Sequence, residues 1–450
     1  PGAATRAIAG PRASALSRYG LIAAGPPPDQ GLWLTRWHMG VTPMGERYRR
    51  PDWVRRVNAM GSASGGPRRL VPIEAADLIE QARVSTAIAG PADLGDGDWE
   101  ARLRALVDAV NRSDLHVVGR LMTREELLRC LRTRFLVGGH RRREPSIADE
   151  VIEAPVIVTG PARSGTTILF ELLGLDPGLR SPTATDVIHP VPPDGTGEDE
   201  RRAMTESEQE LWADVQPEFA AMHELRSDLP VECITICAPS FAGSHWSMVL
   251  TDQGDWQPDV AADLAFHRAL LQTVQHGRPA RRWLLKTPGY VFMLDDLLAA
   301  YPDARIVLTH RDPARTMPST ASTAAMVRWL RTDSVDLDVL SGLIGALFAD
   351  ALNAIARRRR EGSLPGTYGD VRFADLMDDP VAAIGGAYEA IGRELTDRHR
   401  EAITHYLAAK PRGQHGTHQY TAEDWGFDAA ALRIDLADYM DRFAIPVEDA

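Results

Sequence analysis

A short stretch with two glycines and four hydroxyl residues, TGPARSGTT at residues 159–167, has the spacing of a phosphate-binding loop. Gly160, four further residues and Gly165 match the template G-x-x-x-x-G-K-S/T, except that Thr166 stands where the template has lysine. Such a loop offers backbone N–H groups and the positive end of a helix dipole to a phosphate. Without the lysine that acts beside Mg²⁺ on β- and γ-phosphates, we expect a ligand with one 5'-phosphate-like group, bound without metal, with Arg163 as the cation.

Two more cations stand at the ends of predicted strands. Lys286 ends the segment RWLLK, and Arg311 directly follows the segment ARIVLTH. The carboxyl ends of parallel strands share one edge of a sheet, so Arg163, Lys286 and Arg311 are expected to converge at one crevice. Three converging cations require an anionic ligand or carboxylate partners.

The elements that position these cations alternate between strand and helix. Apolar runs that lead into helical patterns lie at 155–159, 282–286 and 304–310. Longer helical patterns cover 198–215, 259–276, 336–360 and 380–409. This alternation predicts an α/β fold with a P-loop-type central parallel sheet flanked by helices.

The first third of the chain has a different character. Residues 1 to about 70 are rich in Gly, Pro and Arg and predict an irregular arm. Residues 72–144 have helical periodicity, with Thr123 and Glu126 spaced as a capping box at a helix start. We therefore predict an irregular arm and helical N-terminal extension over 1–150, and an α/β domain over 151–450.

With these motifs in place, the chain resembles the sulfotransferases that use 3'-phosphoadenosine 5'-phosphosulfate (PAPS), and most closely their bacterial, mycobacterial-type branch. PARSGTT at 161–167 resembles the family loop for the 5'-phosphosulfate, with Arg163 at the position of the family's lysine. Arg311 and Ser319 are eight residues apart, as are the family's Arg and Ser for the 3'-phosphate. The resemblance covers about 154–446, roughly two thirds of the chain.

The resemblance implies a set of site residues. Lys286 falls where the family has a second lysine near the sulfuryl group, and AKPRGQHG resembles the family's loop that closes on the 3'-phosphate. The implied contacts with PAPS, or with its product adenosine 3',5'-bisphosphate, come from Gly160, Arg163, Ser164, Gly165, Thr166, Thr167, Arg311, Ser319, Lys410, Arg412 and Gly413.

The sequence departs from the family pattern at the position of the general base. Many members have a histidine just after the second-strand lysine, whereas here Lys286 is followed by Thr-Pro-Gly-Tyr. Candidates to accept the proton are the carboxylates and imidazoles of Asp186, His189, Glu232 and His245. Asp186 and Glu232 lie in segments that resemble acidic motifs of the bacterial branch. The expected catalytic set is Arg163, Lys286, Glu232 and Asp186.

The acceptor site is expected within residues 181–256. This region contains Trp212, Phe241, Trp246, Met248 and Trp256, side chains that are found more often in a core than in a binding pocket. If they line a pocket, they favour an apolar alcohol or phenol, such as a lipid, terpenoid or polyketide, over a sugar.

Bulk composition limits the partners. The net charge of −12 argues against nucleic-acid binding, and no apolar run approaches the roughly 20 residues of a transmembrane helix. Three cysteines, Cys130, Cys233 and Cys237, favour buried thiols in a reducing, cytoplasmic compartment. Only Lys286 and Lys410 among the 50 Lys+Arg residues are lysine, which is typical of GC-rich, actinobacterial-like coding.

Two alternatives stay open. A P-loop kinase-like phosphotransferase would bind ATP with Mg²⁺, although the kinase motif suggested by His310-Arg311-Asp312 lacks its metal-binding Asn, replaced by Met317. A catalytically silent protein would bind adenosine 3',5'-bisphosphate without transfer, as the absent histidine allows. The N-terminal helices are compatible with a lid, an acceptor-specificity element or the surface of a homo-oligomer.

Overall fold

The computed structural model describes residues 41–221, 224–409 and 421–448. Helices form within residues 72–144, as expected, and also between residues 44 and 70, where the sequence predicted an irregular arm, because the Val54 side chain packs against Val118 and Met122. The first described part of the chain is therefore helical. Its helices are α1 (Met44–Arg47), α2 (Asp52–Ala63), α3 (Pro67–Leu70), α4 (Ala75–Thr86), α5 (Trp99–Arg112) and α6 (Val117–Arg143), followed by a 3₁₀ turn at Pro145–Asp149.

The described residues also form a five-stranded, fully parallel sheet. Its strands are β1 (Val156–Thr159), β2 (Leu179–Arg180), β3 (Arg282–Lys286), β4 (Arg305–His310) and β5 (Thr367–Arg372), in the order β2-β3-β1-β4-β5. Val158 pairs with Lys286, and Thr159 pairs with Leu308. The chain passes from β3 on one side of β1 to β4 on the other, so a crevice opens beyond the carboxyl ends of these three strands.

Helices cover both faces of the sheet. They are α7 (Thr166–Leu173), α8 (Ala184–Ile188), α9 (Glu198–Val215), α10 (Cys233–Cys237), α11 (Ser244–Val249), α12 (Val260–Gln275), α13 (Leu294–Ala300), α14 (Pro313–Trp329), α15 (Leu337–Glu361), α16 (Phe373–Asp378), α17 (Pro380–Ala390), α18 (Asp397–Ala409), α19 (Ala429–Asp435) and α20 (Ala437–Arg442). The predicted α/β fold, with its P-loop-type parallel sheet and N-terminal helices, is confirmed.

The strands separate two apolar cores because successive side chains of a strand point to opposite faces. Val156 and Val158 of β1 pack into one core, together with Leu284 and Val307. Ile157, between the two valines, packs into the other and larger core. Burial on both faces explains why β1 and the middle of β4 are continuous apolar runs rather than alternating ones.

Two details of the helical predictions are wrong. Thr123 does not begin a helix: it lies inside α6, which begins at Val117 with His116 as its N-cap, and Thr123 Oγ1 donates to the carbonyl of Gly119 at 2.8 Å. The single helix expected over 380–409 is two helices. They are separated where Gly392 takes the left-handed φ of 65°, which ends a helix at little cost only for glycine.

The N-terminal helices share a core with later segments. Leu127 and Phe135 of α6 pack in one buried cluster with Phe241 and Trp246. The division into an N-terminal extension over 1–150 and an α/β domain over 151–450 stays a prediction.

Helix α15 is long and apolar enough to cross a membrane by length and composition, in contrast to the expectation from the sequence. Half of its most apolar window is buried within the protein. Leu340, Ile344 and Phe348 of this helix belong to the larger core, and the helix packs against α14 and α20. We therefore describe α15 as a core helix.

Candidate functional site

The phosphate-binding loop joins β1 to α7, as the sequence predicts. Two glycines give the loop its shape, with φ of 147° at Gly160 and 91° at Gly165, the N-cap of α7. A Cβ atom at Gly160 would lie 2.5 Å from the carbonyl oxygen of Thr309, so only glycine allows β1 and β4 to approach here. The loop therefore presents the N-terminus of an eight-residue helix at the crevice.

Ser164 fixes the loop from inside. Its side chain is fully buried, and its hydroxyl donates to the carbonyl of Pro161 at 2.6 Å and lies 2.5 Å from Thr309 Oγ1. Thr166, in the position of the template's lysine, is also buried. Arg163 and Thr167 are the exposed residues of the loop, and Arg163 has a left-handed φ of 67°.

A buried lysine meets a carboxylate beside the loop. Lys286 Nζ, at the end of β3, lies 2.7 Å from Glu232 Oε1 and donates to Thr167 Oγ1 at 3.3 Å. Thr287 Oγ1 donates to the other carboxylate oxygen of Glu232 at 3.3 Å. The Lys286 side chain is 5% exposed and that of Glu232 is 24% exposed. Two of the expected catalytic residues thus form one ion pair that opens on the solvent side at Glu232.

Asp186, the other favoured carboxylate, has different partners. It forms a capping box with Thr183 at the start of α8, and Arg278 Nη2 donates to its carboxylate at 2.8 Å. Burial opposes the charge on Asp186, but the hydrogen bond from Arg278 brings the pKa below its usual value. The Asp186 carboxylate thus caps the start of α8 and binds Arg278. Its catalytic role stays a prediction.

Arg311, the residue expected at the 3'-phosphate, has three partners in the structure. It lies between β4 and α14, and its Nη1 donates to the carbonyl of Arg163 at 2.9 Å. Its guanidinium also lies 3.7 Å from the ring centroid of Phe373. The Nε and Nη2 groups of Arg311, which form the fork of the guanidinium, donate to Glu448 Oε1 at 2.8 Å and to Oε2 at 2.7 Å.

The remaining residues expected at the 3'-phosphate differ in placement. Ser319 lies in the second turn of α14, which begins after Arg311, and is 5% exposed. Lys410, Arg412 and Gly413 lie outside the described residues. Glu448 and Phe373 were not predicted, because neither belongs to a sequence motif; Glu448 is 137 residues from Arg311 in the chain.

The two histidine candidates each pair with a different glutamate; His245 is buried, and His189 is partly exposed. His189 Nε2 lies 2.9 Å from Glu208, and His245 Nε2 lies 2.9 Å from Glu126. Arg331 Nη2 donates to the other oxygen of Glu126 at 2.9 Å. Burial would raise the pKa of Glu126, but His245 and Arg331 lower it well below its usual value. These side chains connect α6 to later segments.

The large apolar residues expected near the acceptor fall into two groups, those in the core and those that are partly buried. Phe241, Trp246 and Trp256 are fully buried, and both indole N–H groups donate to backbone carbonyls, at 2.9 Å for Trp246 and 3.0 Å for Trp256. Trp212 and Met248 are partly buried against another small cluster. The first three are therefore core residues, which is the common role of such side chains.

Within residues 41–221, 224–409 and 421–448, no group of three or more His, Cys, Asp or Glu side chains is arranged to hold a metal ion. Metal-free binding stays a prediction.

The chain is similar to known proteins in sequence and in fold. Two curated relatives are each named omega-hydroxy-beta-dihydromenaquinone-9 sulfotransferase Stf3, from Mycobacterium bovis and Mycobacterium tuberculosis. Each is 25% identical over 301 residues, which cover 64% of this chain and 74% of the relative.

Two crystal structures are similar over most of the chain. Sulfotransferase STF9 from Mycobacterium avium is 24% identical with a TM-score of 0.70, and the match covers 83% of this chain and 97% of STF9. Sulfotransferase STF1 from Mycobacterium tuberculosis H37Rv is 25% identical with a TM-score of 0.59, with 82% and 97% covered.

The family model described as "Sulfotransferase family" matches residues 155–397, more than half of the chain, including the phosphate-binding loop, Lys286 and Arg311. The chain therefore belongs to the sulfotransferase family and is a sulfotransferase.

Proposed function

We propose that this enzyme transfers a sulfuryl group from PAPS to a hydroxyl group of an apolar small-molecule or lipid acceptor. The observation that carries the proposal is the placement of cations at neighbouring strand ends. Lys286 ends β3 beside the glycine loop, and Arg311 follows β4 and donates to the carbonyl of Arg163. We take the first as the site of the 5'-phosphosulfate and the second, with Ser319, as the site of the 3'-phosphate. PAPS carries two anionic groups, a 5'-phosphosulfate and a 3'-phosphate, whereas ATP carries a single chain of phosphates.

The residues present fit this donor. The close approach at Gly160 and the N-terminus of α7 suit the 5'-phosphate, and the exposed Arg163 supplies the cation that Thr166 cannot. The fork of Arg311 already holds a carboxylate in two parallel hydrogen bonds, which is the geometry that a guanidinium offers to a phosphate. The product adenosine 3',5'-bisphosphate would use the same contacts.

The donor, when bound, supplies an activated sulfuryl group whose bond to the phosphate oxygen breaks as its bond to the acceptor oxygen forms. We assign three roles to the protein. Lys286 and Arg163 neutralise the charge that develops at the phosphate side. Glu232 accepts the proton of the acceptor hydroxyl. Thr167 and Thr287 hold the lysine and the carboxylate in place through their hydroxyl groups.

The apolar acceptor is supported by the curated relatives, whose name gives an omega-hydroxy menaquinone derivative as the acceptor. Of the residues expected there, Trp212 and Met248 are the partly buried ones, next to an apolar cluster that contains Phe219 and Val327. We propose these two side chains as acceptor contacts.

We further propose a cytoplasmic location. The three cysteines are free and buried, which suits a reducing compartment. Burial raises the pKa of Cys130 and of Cys233 to about 12, so neither is a reactive thiolate at neutral pH. A homo-oligomer stays an open expectation.

Calorimetric titration of adenosine 3',5'-bisphosphate without metal tests the donor site. The wild-type protein should bind it, and Arg311→Ala should bind roughly 10- to 100-fold more weakly, because a charge-assisted pair of hydrogen bonds is lost. ATP with Mg²⁺ should give no heat in the same cell. Absence of bisphosphate binding by the folded protein would contradict the proposal, and binding of ATP with Mg²⁺ would favour the kinase-like alternative.

Transfer is then measured with ³⁵S-labelled PAPS and a set of hydroxylated isoprenoids, phenols and sugars. We expect label on apolar acceptors. Bisphosphate binding together with no transfer to any acceptor would favour the catalytically silent alternative.

A further inference from the structure

The carboxylate of Glu448 lies within the fork of Arg311. The two parallel hydrogen bonds, 2.8 Å and 2.7 Å long, use Nε and Nη2 of the guanidinium. These are donors that a phosphate would also take, because a guanidinium binds carboxylates and phosphates in the same two-bond geometry. A carboxylate of the protein and a phosphate of a ligand cannot both fill this fork.

Glu448 is docked through its backbone as well. Its N–H donates to Asp312 Oδ2 at 2.8 Å, and its carbonyl accepts from Arg433 Nη2 at 2.8 Å. Arg433 Nη2 also donates to Asp312 Oδ2 at 2.7 Å, and Asp312 is fully buried. Ile445, three residues earlier, is buried in the larger core. The segment 445–448 is therefore held beside Arg311 by contacts that do not involve the Glu448 carboxylate.

The ion pair itself is accessible from solvent. The side chain of Arg311 is 17% exposed and that of Glu448 is 27% exposed. Both side chains are partly exposed, so a ligand can approach the guanidinium from solvent and replace the carboxylate. Phe373 stacks on the guanidinium at 3.7 Å and keeps Arg311 in the same orientation when the partner changes.

We propose that Glu448 is a built-in competitor for the 3'-phosphate, closing the Arg311 fork in the free enzyme and leaving it when the nucleotide binds. This inference rests on the proposed function, because it takes Arg311 as the 3'-phosphate ligand. The free enzyme then binds its nucleotide with an affinity reduced by the fraction of molecules whose fork is open. A nucleotide without a 3'-phosphate does not compete with Glu448 for the fork, so its binding affinity is not reduced.

The test compares two ligands on three proteins by calorimetry. The ligands are adenosine 3',5'-bisphosphate and adenosine 5'-phosphate, which differ in the 3'-phosphate alone. The proteins are the wild type, Glu448→Gln and the control Glu389→Gln, which removes an equal charge from an exposed position of α17. We expect Glu448→Gln to bind the bisphosphate on the order of tenfold more tightly than wild type. The 5'-phosphate should bind all three proteins equally, and Glu389→Gln should behave as the wild type.

Hydrogen exchange on the wild-type enzyme gives a second readout. The bisphosphate should protect the amides of the phosphate-binding loop, whereas exchange in 445–448 should not slow, since only the Glu448 side chain leaves Arg311 and the backbone of this segment keeps its own contacts. If Glu448→Gln does not fold, Glu448→Asp serves instead, because its shorter side chain weakens the pair while keeping the charge.

The possible failures are distinguishable. If Arg311→Ala binds the bisphosphate as well as the wild type, the proposed function fails and this inference fails with it. If Arg311→Ala weakens binding but Glu448→Gln binds equally or more weakly than wild type, the proposed function stands and Glu448 is a support for Arg311, not a competitor. Slower exchange in 445–448 on nucleotide binding would also overturn the inference.

Discussion

Lys286 Nζ and Glu232 Oε1 lie 2.7 Å apart although the two residues are 54 positions apart in the sequence. The lysine ends β3, and the glutamate is the N-cap of α10. The pair places a buried cation and a partly exposed carboxylate beside the phosphate-binding loop. In the proposed reaction the cation stabilises developing negative charge, and the carboxylate accepts a proton.

Glu232→Gln separates the role of a base from that of a support. The amide keeps the shape of the side chain and can accept a hydrogen bond from Lys286, but it cannot accept a proton. We expect kcat to fall about 10²- to 10⁴-fold, the usual contribution of general acid–base catalysis. The measurement is kcat with a fixed acceptor at one pH.

Glu232→Asp is the matched variant, because it keeps a carboxylate that can accept a proton, and it should retain more activity than Glu232→Gln. Affinity for adenosine 3',5'-bisphosphate should change little and serves as the control. Equal losses of kcat in the two variants would assign Glu232 to positioning Lys286 alone.

Lys286→Arg tests whether the compact ammonium is needed. A guanidinium keeps the charge but is larger and planar, and Lys286 is 4% exposed, between Glu232 and Thr167. We expect kcat to fall about 10²- to 10³-fold, as for loss of one transition-state hydrogen-bond donor. Single-turnover transfer from labelled PAPS measures this. Activity within about threefold of wild type would mean that charge at this position is sufficient.

Gly160→Ala should disrupt the loop. Its Cβ would lie 2.2 Å from Thr309 Oγ1 and 2.5 Å from the Thr309 carbonyl oxygen, and its φ of 147° is strained for alanine. We expect a loss of about 2–4 kcal/mol in the free energy of unfolding, measured with urea, from crowding and backbone strain. Bisphosphate binding should fall as well.

Gly289→Ala is the matched control, since its Cβ would meet no atom within 4 Å. Gly289 lies in the 3₁₀ turn that follows β3. The free energy of unfolding of the Gly289→Ala variant should stay within about 1 kcal/mol of the wild type. Equal effects of the two substitutions would contradict the close approach of the loop to β4.

His267 should make stability depend on pH. It is fully buried beside the hydroxyl group of Tyr301, and burial lowers its pKa to about 3. Between about pH 6.5 and this value, the unfolded chain binds a proton that the folded protein does not, so stability decreases as pH falls. The slope that His267 contributes approaches about 1.4 kcal/mol per pH unit.

Urea unfolding of wild type and His267→Gln at pH 6.5 and pH 4.5 measures that slope. The variant should be less stable at pH 6.5 but lose less on acidification. Parallel losses in the two proteins would show that His267 does not titrate in this way.

The sequence alone identified the local units. Strand-loop-helix grammar predicted β1, β3 and β4 and the glycine loop, because hydrophobic periodicity and glycine requirements act over a few residues. The same local signals explain the errors. A capping-box spacing at Thr123 occurred by chance inside a longer helix, and the 380–409 pattern continued across a break at Gly392. The core role of Trp246 and Trp256 also depended on packing that no local pattern specifies.

What the sequence by itself determined is the α/β class, the phosphate-binding loop and the convergence of its cations at one edge of a parallel sheet, since strand direction fixes which ends meet. Only the tertiary structure decided which carboxylate forms an ion pair with which cation. It paired Glu232 with Lys286, Asp186 with Arg278, and Glu448 with Arg311. These partners are 54, 92 and 137 residues apart, and ion pairs act through distance in space, which packing determines.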